Sequence, residues 1–585
     1  MSKKQKLELT WIGKGEQPKL EPRILIEDPE KSYGDKNTHN MLIHGDNLLA
    51  LKALEQNYTN RIKCIYIDPP FNTGQAFENY DDGLEHSLWL SLISDRIKIL
   101  HKLLSSDGSL FVHIDDNELG YLIVLLDEIF GRNNRLYIVT FKQGSATGHK
   151  SINPGCVTTT NFVVMYAKNK ADWSPNRVYT ARERDKRYTQ FIENYEDNYK
   201  DWKTCTLLKA YSSKAGISEA EARKMIKANP DLLDNFVEEN AERVVRLARP
   251  DYKSVSERAR QLIDKSKEEP DKVVFLQREG YSDMYFTNGE RILFYSSKLK
   301  EIDGELIAGE PLTTLWDDIL SNNLHNEGGI KFPKGKKPEF LIKRVFDLCT
   351  NAGDVVLDSF LGSGTTAAVA HKMGRKWIGI ELGEHCETHA LPRLSDVVNG
   401  KDTSGISNAV GWKGGGGFKY YYLAPSLLKQ DKYGNWIIDE RYNAQMLAAA
   451  MAKHEGFRYA PDEELYWKQG QSTEKDFIFT TTNFITVEQL DKIHEEMLTE
   501  ESLLICCKSF SKACSTRYSN ITVKKIPSML LGRCEFGKED YSLNIVNMPV
   551  DEDEPDFVPA GTDEAVKKKP KKKQSEPTLF GEDAE

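Results

Sequence analysis

The amino-acid sequence predicts an α/β protein built on a doubly wound, mostly parallel sheet. In two parts of the chain, apolar strand-like runs alternate with amphipathic stretches of helical length, and several of these strands end in an acidic residue. Such alternation is typical of parallel sheets, because parallel strands have to be joined by crossover connections. A chain of 585 residues is also longer than one hydrophobic core usually supports, so we expect further domains.

The alternation begins near residue 41. The elements predicted there are, in order, a strand over 41–44, a helix over 47–56, a strand over 62–67, a helix over 84–104, a strand over 109–114 and a helix over 119–130. Two further apolar runs, 136–142 and 161–167, are joined by a loop rich in Gly, Ser and Thr. These two runs predict a hairpin at the edge of the sheet.

The composition changes in the middle of the chain. Residues 171–300 are charged, helical in pattern and rich in Tyr, Arg and Lys, without alternating strands and helices. The alternation returns after Lys337-Pro338, with a helix to Cys349 followed by a strand over 355–358, a helix over 367–373 and a strand over 377–382. The middle region is therefore predicted to be an insertion between two halves of one α/β domain.

The sequence predicts six segments along the chain. They are an N-terminal arm (1–40), the first half of the α/β domain (41–170), the insertion (171–310), the second half (311–400), a C-terminal domain (401–549) and a charged tail (550–585). The tail combines an acidic run with a lysine-rich run and is predicted to be disordered.

Composition excludes several classes of protein. The net charge is −10, from 79 basic and 89 acidic side chains, so a uniformly basic nucleic-acid-binding protein is excluded, although a local basic lining is not. We expect no membrane span and no secretion signal, because no sufficiently long apolar run occurs. Nine cysteines without a C-x-x-C pair favour reduced thiols in the cytoplasm and predict no metal site.

Acidic residues at strand ends are the first candidates for chemistry. Asp358 ends a strand and is followed by a glycine turn at Gly362 and Gly364, a segment that a purely structural turn would explain about equally well. Glu381 ends the next strand, and Asp46 follows a strand in the first half. Because ligands bind at the carboxyl edge of open α/β sheets, three such acids suit an adenosine-containing ligand without phosphates. The turn lacks the lysine of a phosphate-binding loop.

The most specific motif is Asp68-Pro69-Pro70-Phe71, directly after an apolar strand. The two prolines remove two N–H donors and restrict the backbone. Their carbonyls and the Asp68 carboxylate therefore form a rigid group of acceptors, which suits an exocyclic amino group. Phe71 offers a flat face on which a planar base can stack.

These motifs resemble those of the amino-methyltransferases that modify DNA bases with S-adenosyl-L-methionine. The tetrapeptide at 68–71 is similar to their catalytic motif and the segment 360–364 to their cofactor loop, in the order of the beta class. Local strings are also similar to Mod subunits of Type III restriction–modification systems, and these strings lie at 7–14, 44–51, 66–74, 81–87 and 414–422.

The resemblance implies roles for particular residues and segments. Asp68, Pro69, Pro70 and Phe71 would be catalytic. The residues that it implies around the cofactor are Asp46, Lys337, Pro338, Asp358, Phe360, Gly362, Gly364, Thr365 and Glu381. The halves 41–170 and 311–400 would carry catalysis and cofactor binding, the insertion would recognise the target sequence, and 401–549 would make dimer or partner contacts.

The function that the resemblance implies is methyl transfer to N6 of adenine in double-stranded DNA after base flipping. A Type III Mod subunit would be a homodimer that also serves a separate ATP-dependent restriction (Res) subunit. The alternatives are a stand-alone or cytosine-N4 methyltransferase and a catalytically silent DNA-specificity subunit. An RNA substrate is less favoured, but nothing in the residues excludes it.

Overall fold

The computed structural model describes residues 8–15, 19–70, 82–144, 155–319, 324–332 and 335–537. Phe71 and the segment 550–585 lie outside the described residues. Within them, no helix is long and apolar enough to cross a membrane.

The first part of the chain forms strands and helices in alternation. Its elements are β1 (Leu25–Gly34), β2 (Met41–His44), α1 (Asn47–Tyr58), β3 (Ile62–Ile67), α2 (Asp82–Leu103), β4 (Leu104–Ile114), α3 (Leu119–Leu126), β5 (Arg135–Lys142) and β6 (Thr160–Ala167). Helix α3 continues into a π-helical turn at Asp127–Gly131. The side chain of Asp46 caps α1 by accepting a hydrogen bond from the Leu49 backbone N–H at 2.9 Å, which starts this helix directly after β2.

The inserted region is a mixture of strands and helices. Its elements are β7 (Tyr179–Ala181), β8 (Gln190–Ile192), β9 (Thr204–Thr206), α4 (Leu207–Ala215), α5 (Glu219–Ala228), α6 (Asp231–Glu239), β10 (Val244–Ala248), α7 (Glu257–Glu268), β11 (Val274–Leu276), β12 (Met284–Thr287), β13 (Glu290–Phe294), β14 (Leu299–Ile302) and β15 (Glu305–Pro311). Six of these strands form one sheet in the order β11-β12-β13-β10-β8-β9.

The expectation of a helical pattern over 171–300 was therefore wrong in part. Most strands of this region have only three to five residues and contain many half-exposed positions. Such short strands show little alternation of apolar and polar residues, so the charged helices α5 and α7 dominate the pattern. Pairing between strands far apart in the sequence, such as β8 with β10, stabilises the sheet instead.

The chain then returns to the central sheet. This part contains β16 (Leu315–Trp316), α8 (Glu339–Cys349), β17 (Val355–Asp358), α9 (Thr365–Lys372), β18 (Lys376–Glu381), α10 (Leu391–Val398) and β19 (Gly417–Leu423). The last part contains β20 (Leu428–Gln430), β21 (Trp436–Ile438), α11 (Ala444–His454), β22 (Arg458–Tyr459), β23 (Gly470–Gln471), β24 (Asp476–Ile485), α12 (Val487–Glu496), β25 (Ser502–Phe510) and β26 (Ile521–Lys525). Strands β22 to β26 form a separate sheet.

The central sheet has ten strands in the order β1-β19-β2-β18-β17-β3-β4-β6-β5-β16. The six strands from β19 to β4 run parallel, whereas β6 is antiparallel to both β4 and β5. Helices cover both faces, with α1 to α3 on one side and α8 to α10 on the other. The doubly wound, mostly parallel sheet that the sequence predicts is confirmed.

The sheet extends beyond the residues that the sequence analysis assigned to it. Strand β1 lies within the expected arm, and β19 lies within the expected C-terminal segment, yet the two strands pair with each other and β19 pairs with β2. Phe418 and Tyr420 on β19 are buried in the core. At the other end, β16 pairs outside the β5–β6 hairpin and forms the edge strand.

Four charged side chains are buried together beside helix α8. Glu339 binds Lys372 at 2.7 Å and Arg393 at 2.8 Å, and Asp402 binds Lys372 at 2.8 Å. The side chains of Glu339, Lys372 and Arg393 are fully buried. Arg393 also donates to the Thr365 hydroxyl at 2.7 Å. The cluster therefore connects the start of α8 to the start of α9.

We expect Glu339→Ala to lower the free energy of unfolding by about 3–5 kcal/mol, because two buried cations lose the carboxylate they share. Urea unfolding measures the change. Glu339→Gln, which keeps the volume and an acceptor oxygen, should be less destabilised. Glu474→Ala changes an exposed glutamate and should stay within about 0.5 kcal/mol of the wild type. A Glu339→Ala protein as stable as that control would contradict the role of the cluster.

Candidate active site

Four acidic side chains lie at one edge of the central sheet. Asp46 follows β2, Glu381 ends β18, Asp358 ends β17 and Asp68 follows β3. These strands are neighbours in the order β2-β18-β17-β3 and all run parallel. Because the carboxyl ends of parallel strands meet at the same edge, residues from both sides of the insertion come together there.

A glycine turn joins β17 to α9 at this edge. The backbone φ angles of Gly362 (54°) and Gly364 (82°) lie in the left-handed region, which glycine adopts without strain. A Cβ atom at Gly364 would also lie 3.4 Å from Ala390. Gly364 caps α9, so that Thr365 begins the helix. Phe360 is half-buried against the core of the sheet.

The carboxyl of Asp358 is buried and protonates easily. Its Oδ1 atom accepts a hydrogen bond from the Phe360 backbone N–H at 2.9 Å. Burial raises the pKa of Asp358 to about 7, and the charges of Asp68 and Glu381 add to this rise, while hydrogen bonds from Thr366 and Phe360 oppose it. A cationic ligand at this edge would reverse much of the shift, since it favours the ionised carboxylate.

Glu381 is ionised and its two oxygens are held in place. Burial raises the pKa of its carboxyl, but His385 and backbone hydrogen bonds outweigh that effect and hold the pKa below its ordinary value. His385 Nε2 lies 2.9 Å from Oε1, and the Gly362 N–H donates to Oε2 at 2.7 Å. Glu381 thus ties the end of β18 to the glycine turn.

Asp68 forms an ion pair that crosses the two halves of the domain. Lys337 Nζ lies 2.6 Å from Asp68 Oδ2, and the two side chains are 7% and 19% exposed. Burial raises the pKa of Asp68, although the charge of Lys337 and its hydrogen bond oppose that rise. Oδ1 of Asp68 is buried and has no hydrogen-bond partner among the described residues. One carboxylate oxygen therefore stays available as an acceptor.

The carbonyl groups of the two prolines after Asp68 differ in their hydrogen bonding. The Pro70 carbonyl accepts a hydrogen bond from the buried indole of Trp89 at 2.9 Å, which fixes the loop against α2. In the part of the chain that the structure describes, no hydrogen bond reaches the Pro69 carbonyl. Of the two, the Pro69 carbonyl is thus the available acceptor beside Asp68. Phe71 lies outside the described residues, so its expected stacking role stays a prediction.

Buried polar side chains connected by hydrogen bonds lie next to the same edge of the sheet. Asn47 donates to the Ser359 carbonyl at 2.7 Å, and the side chain of Arg96 donates to Asn47. Arg96 also lies 4.0 Å from Asp46. Sequence reasoning missed Asn47, Trp89 and Arg96, because nothing in the local pattern of α1 or α2 distinguishes them from ordinary helix residues.

The sequence-predicted residues thus fall into groups. Asp46, Asp68, Asp358 and Glu381 share one edge with the glycine turn, and Lys337 joins them through its ion pair with Asp68. Pro338 is buried at the start of α8 and takes part through its neighbour Lys337. The edge offers acceptors and negative charge, which suits a ligand with a cationic group, hydroxyls and amino groups.

Comparison with known proteins decides the family. The N6/N4-methyltransferase family model, described as DNA methylase, matches residues 62–391, which is more than half of the chain. The chain belongs to the DNA methylase family. The ten-stranded sheet, with β6 as the antiparallel strand beside β4, is accordingly a methyltransferase fold.

The relatives of this DNA methylase include Type III Mod subunits. The probable type III restriction–modification enzyme HindVI Mod subunit from Haemophilus influenzae is 37% identical over 428 residues, which cover 68% of this chain and 56% of that protein. The EcoP15I Mod subunit from Escherichia coli is 24% identical over 514 residues and 73% of each chain. The EcoPI Mod subunit from Escherichia phage P1 is 28% identical over 457 residues, 68% of this chain and 65% of that one.

We expect the stability of this DNA methylase to depend on the titration of Asp358. Its folded pKa of about 7 exceeds the ordinary value of 3.8, so the folded protein binds a proton that the unfolded chain releases between these values. Protonation of Asp358 therefore stabilises the folded protein fully below pH about 4. As the pH rises to about 7 this contribution is lost, and the free energy of unfolding falls by at most about 1.4 kcal/mol per pH unit.

Urea unfolding of the wild type and Asp358→Asn across this range measures the effect. The free energy of unfolding of the wild type should fall relative to the variant as the pH rises. Asp116→Asn, at an exposed position after β4, is the control and should follow the wild type throughout. A constant difference between the wild type and Asp358→Asn would contradict the shifted pKa.

Proposed function

We propose that the chain is a DNA methyltransferase that transfers a methyl group to N6 of adenine. One observation carries the proposal: two available acceptors, Oδ1 of Asp68 and the Pro69 carbonyl, stand beside the acidic edge of the sheet. An exocyclic amino group offers two N–H donors, which match two acceptors. The matched HindVI protein extends well beyond the aligned region, since this chain spans 56% of its length.

The acidic edge fits S-adenosyl-L-methionine as the cofactor. Its residues combine carboxylates for the amino group and ribose hydroxyls with a glycine turn that lets a ligand approach the backbone. The residues that would hold it are Asp46, Lys337, Pro338, Asp358, Phe360, Gly362, Gly364, Thr365 and Glu381. When bound, S-adenosyl-L-methionine supplies an electrophilic methyl group.

Asp68 and Pro69 would position the target amine. Asp68 Oδ1 and the Pro69 carbonyl would each accept a hydrogen bond from the amino group. The nitrogen lone pair is then directed away from both acceptors. The negative charge of Asp68 stabilises the positive charge that develops on the nitrogen during transfer. Since burial raises the pKa of Asp68, its carboxylate is also a suitable site for the proton that the alkylated nitrogen loses. Lys337 would hold the carboxylate ionised beforehand.

The inserted region is a candidate for sequence recognition. Several arginines of this region form ion pairs with acidic side chains, for example Arg184 with Asp234 and Arg187 with Asp185. Two others, Arg246 on β10 and Arg291 on β13, each have a buried Nε atom without a hydrogen-bond partner among the described residues. Both residues are half-exposed, and a guanidinium group suits bidentate contacts with DNA, so we include them among the candidate DNA contacts.

The relatives suggest the wider assembly. Several are named Mod subunits of type III restriction–modification enzymes, and we infer the same role for this chain. The proposal then includes double-stranded DNA as substrate, a homodimer, and a separate Res subunit that cleaves DNA. The expected division into 41–170, 171–310, 311–400 and 401–549 stays part of the proposal, with β1 and β19 added to the central sheet.

We expect Asp68→Ala to reduce methyl transfer by at least about 10²–10³-fold, because it removes both an acceptor and the charge that stabilises the reacting nitrogen. Labelled S-adenosyl-L-methionine is incubated with unmethylated bacterial DNA, and the DNA is digested to nucleosides. The wild type should yield labelled N6-methyl-2′-deoxyadenosine. Cofactor binding, measured by equilibrium dialysis, should change little in the variant.

The control for this experiment is Asp107→Ala, near the opposite end of strand β4. It should transfer methyl groups at the rate of the wild type. Labelled N4-methyl-2′-deoxycytidine would contradict adenine specificity but keep the amine-methyltransferase assignment, since the same two acceptors fit either amino group. Full transfer by Asp68→Ala would contradict the site itself.

We expect exchange of residues 171–310 for the matching segment of a relative to change the methylated DNA sequence without abolishing transfer, because the catalytic edge lies outside the insertion. Sequencing that detects methylated adenine identifies the sites. A chimera that methylates the original sites would contradict the recognition role. A silent chimera is examined for cofactor binding to separate misfolding from loss of recognition.

A further inference from the structure

A second cleft opens at the opposite edge of the central sheet. Its lining includes Met41, Val355 and Lys376, which begin strands β2, β17 and β18. Three of the four acidic residues of the candidate active site, Asp46, Asp358 and Glu381, lie at the other ends of these same strands. The cleft is therefore separate from that site. It lies between α1 of the central domain and α11 and β22 of the C-terminal region, and its volume is about 860 Å³.

The charged residues of this cleft are all basic. The described residues that line it include five basic side chains and no aspartate or glutamate, and the basic ones are His39, Arg61, Lys376, Lys453 and Arg458. A lining of one sign is unexpected in a chain with a net charge of −10. Focused positive charge of this kind attracts anions.

Three of these cations have no acidic partner in the part of the chain that the structure describes. Arg61, Lys376 and Arg458 form no ion pair with any described residue, and each is exposed to solvent in the cleft. Elsewhere on the same surface, neighbouring charges are paired, as Lys102 is with Glu55 at 2.8 Å. The cations of the cleft thus keep their donors available for an outside group.

Burial in the cleft destabilises the charged form of Lys453. Burial lowers its pKa to about 8, and the charge of Glu55 offsets this only in part. Its Nζ atom donates a hydrogen bond to the carbonyl of Ala53 on α1, the helix on one side of the cleft. An ammonium group that is buried without a carboxylate partner favours binding of an anion, which would restore its charge balance.

Aromatic side chains stand among the cations. Tyr58, Tyr421, Phe457 and Tyr459 line the same cleft, and all four are half-buried, so that part of each ring faces it. Aromatic rings together with cationic side chains form the usual binding surface for nucleotides, because the rings stack on bases and the cations bind phosphates. Inorganic anions alone would make no use of the rings.

We propose that this cleft binds a nucleoside phosphate. Arg61, Lys376 and Arg458 bind the phosphate groups, and the tyrosines contact the base. The volume is that of sites for small ligands and is too small for a DNA duplex. The nucleoside phosphate is either a free nucleotide or a nucleotide within a single strand, and both share the chemistry that the cleft recognises.

The test measures binding to the full-length wild type and to a double variant, Arg61→Ala with Lys376→Ala. The ligands are ATP and inorganic pyrophosphate in calorimetry and a fluorescent single-stranded oligonucleotide in anisotropy. The wild type should bind ATP or the oligonucleotide saturably, and each lost cation should weaken binding about tenfold. Tighter binding of ATP identifies a free nucleotide as the ligand, and tighter binding of the oligonucleotide identifies a strand.

The matched control is Lys432→Ala with Lys508→Ala, which removes two exposed charges outside the cleft. It should bind like the wild type, and thermal unfolding checks that both double variants are folded. Three results would overturn the proposal: no saturable binding of either nucleotide ligand, unchanged binding by the cleft variant, or pyrophosphate binding as tight as that of ATP. Methyl transfer plays no part in these measurements, so they are independent of the proposed function.

Discussion

The parallel pairing of β17 with β3 is the constraint on which the rest of the site depends. These two strands come from opposite sides of the inserted region, and their register places Val356 beside Cys64 and Leu357 beside Ile65. Asp358 is therefore level with Tyr66, and Asp68, two residues further along the chain, reaches the same edge of the sheet. Both faces of these strands are buried, because Ile65 and Leu357 belong to one hydrophobic core and Cys64 and Val356 to the other. A slip of one residue would move each side chain into the opposite core, so packing on both faces fixes the register.

The ion pair between Lys337 and Asp68 adds a second link between the halves. Lys337 stands two residues before Glu339, which lies in the buried cluster with Lys372 and Arg393. Arg393 in turn binds Thr365 at the glycine turn. The segment 337–339 therefore couples the position of the Asp68 carboxylate to that of the glycine turn. Buried charges cost free energy, but they restrict geometry to one arrangement when every partner is present.

The two edges of the sheet have opposite charge. The carboxyl ends of β2, β17 and β18 carry Asp46, Asp358 and Glu381, whereas the opposite ends of these strands open on a lining with five basic side chains. The net charge of −10 conceals this separation. The charge of one edge therefore suits cationic and amino groups, and the charge of the other suits phosphates.

The sequence by itself determined the central elements and the acids at their ends. Apolar runs followed by Asp46, Asp68, Asp358 and Glu381 are local patterns, and the strand β3 (Ile62–Ile67) has the predicted bounds. The motif at 68–71 also led to the resemblance to DNA amino-methyltransferases, because two prolines after an acid form a rigid group of acceptors.

Only the tertiary structure decided which residues meet across long stretches of chain. The sequence showed neither that Lys337 pairs with Asp68, nor that Trp89 takes the Pro70 carbonyl, nor that β1 and β19 complete the sheet. The strands of the insertion were missed for the same reason. Each of these contacts joins residues that are separated in the chain. The packing and burial that stabilise them depend on the folded structure, so a local sequence pattern does not predict them.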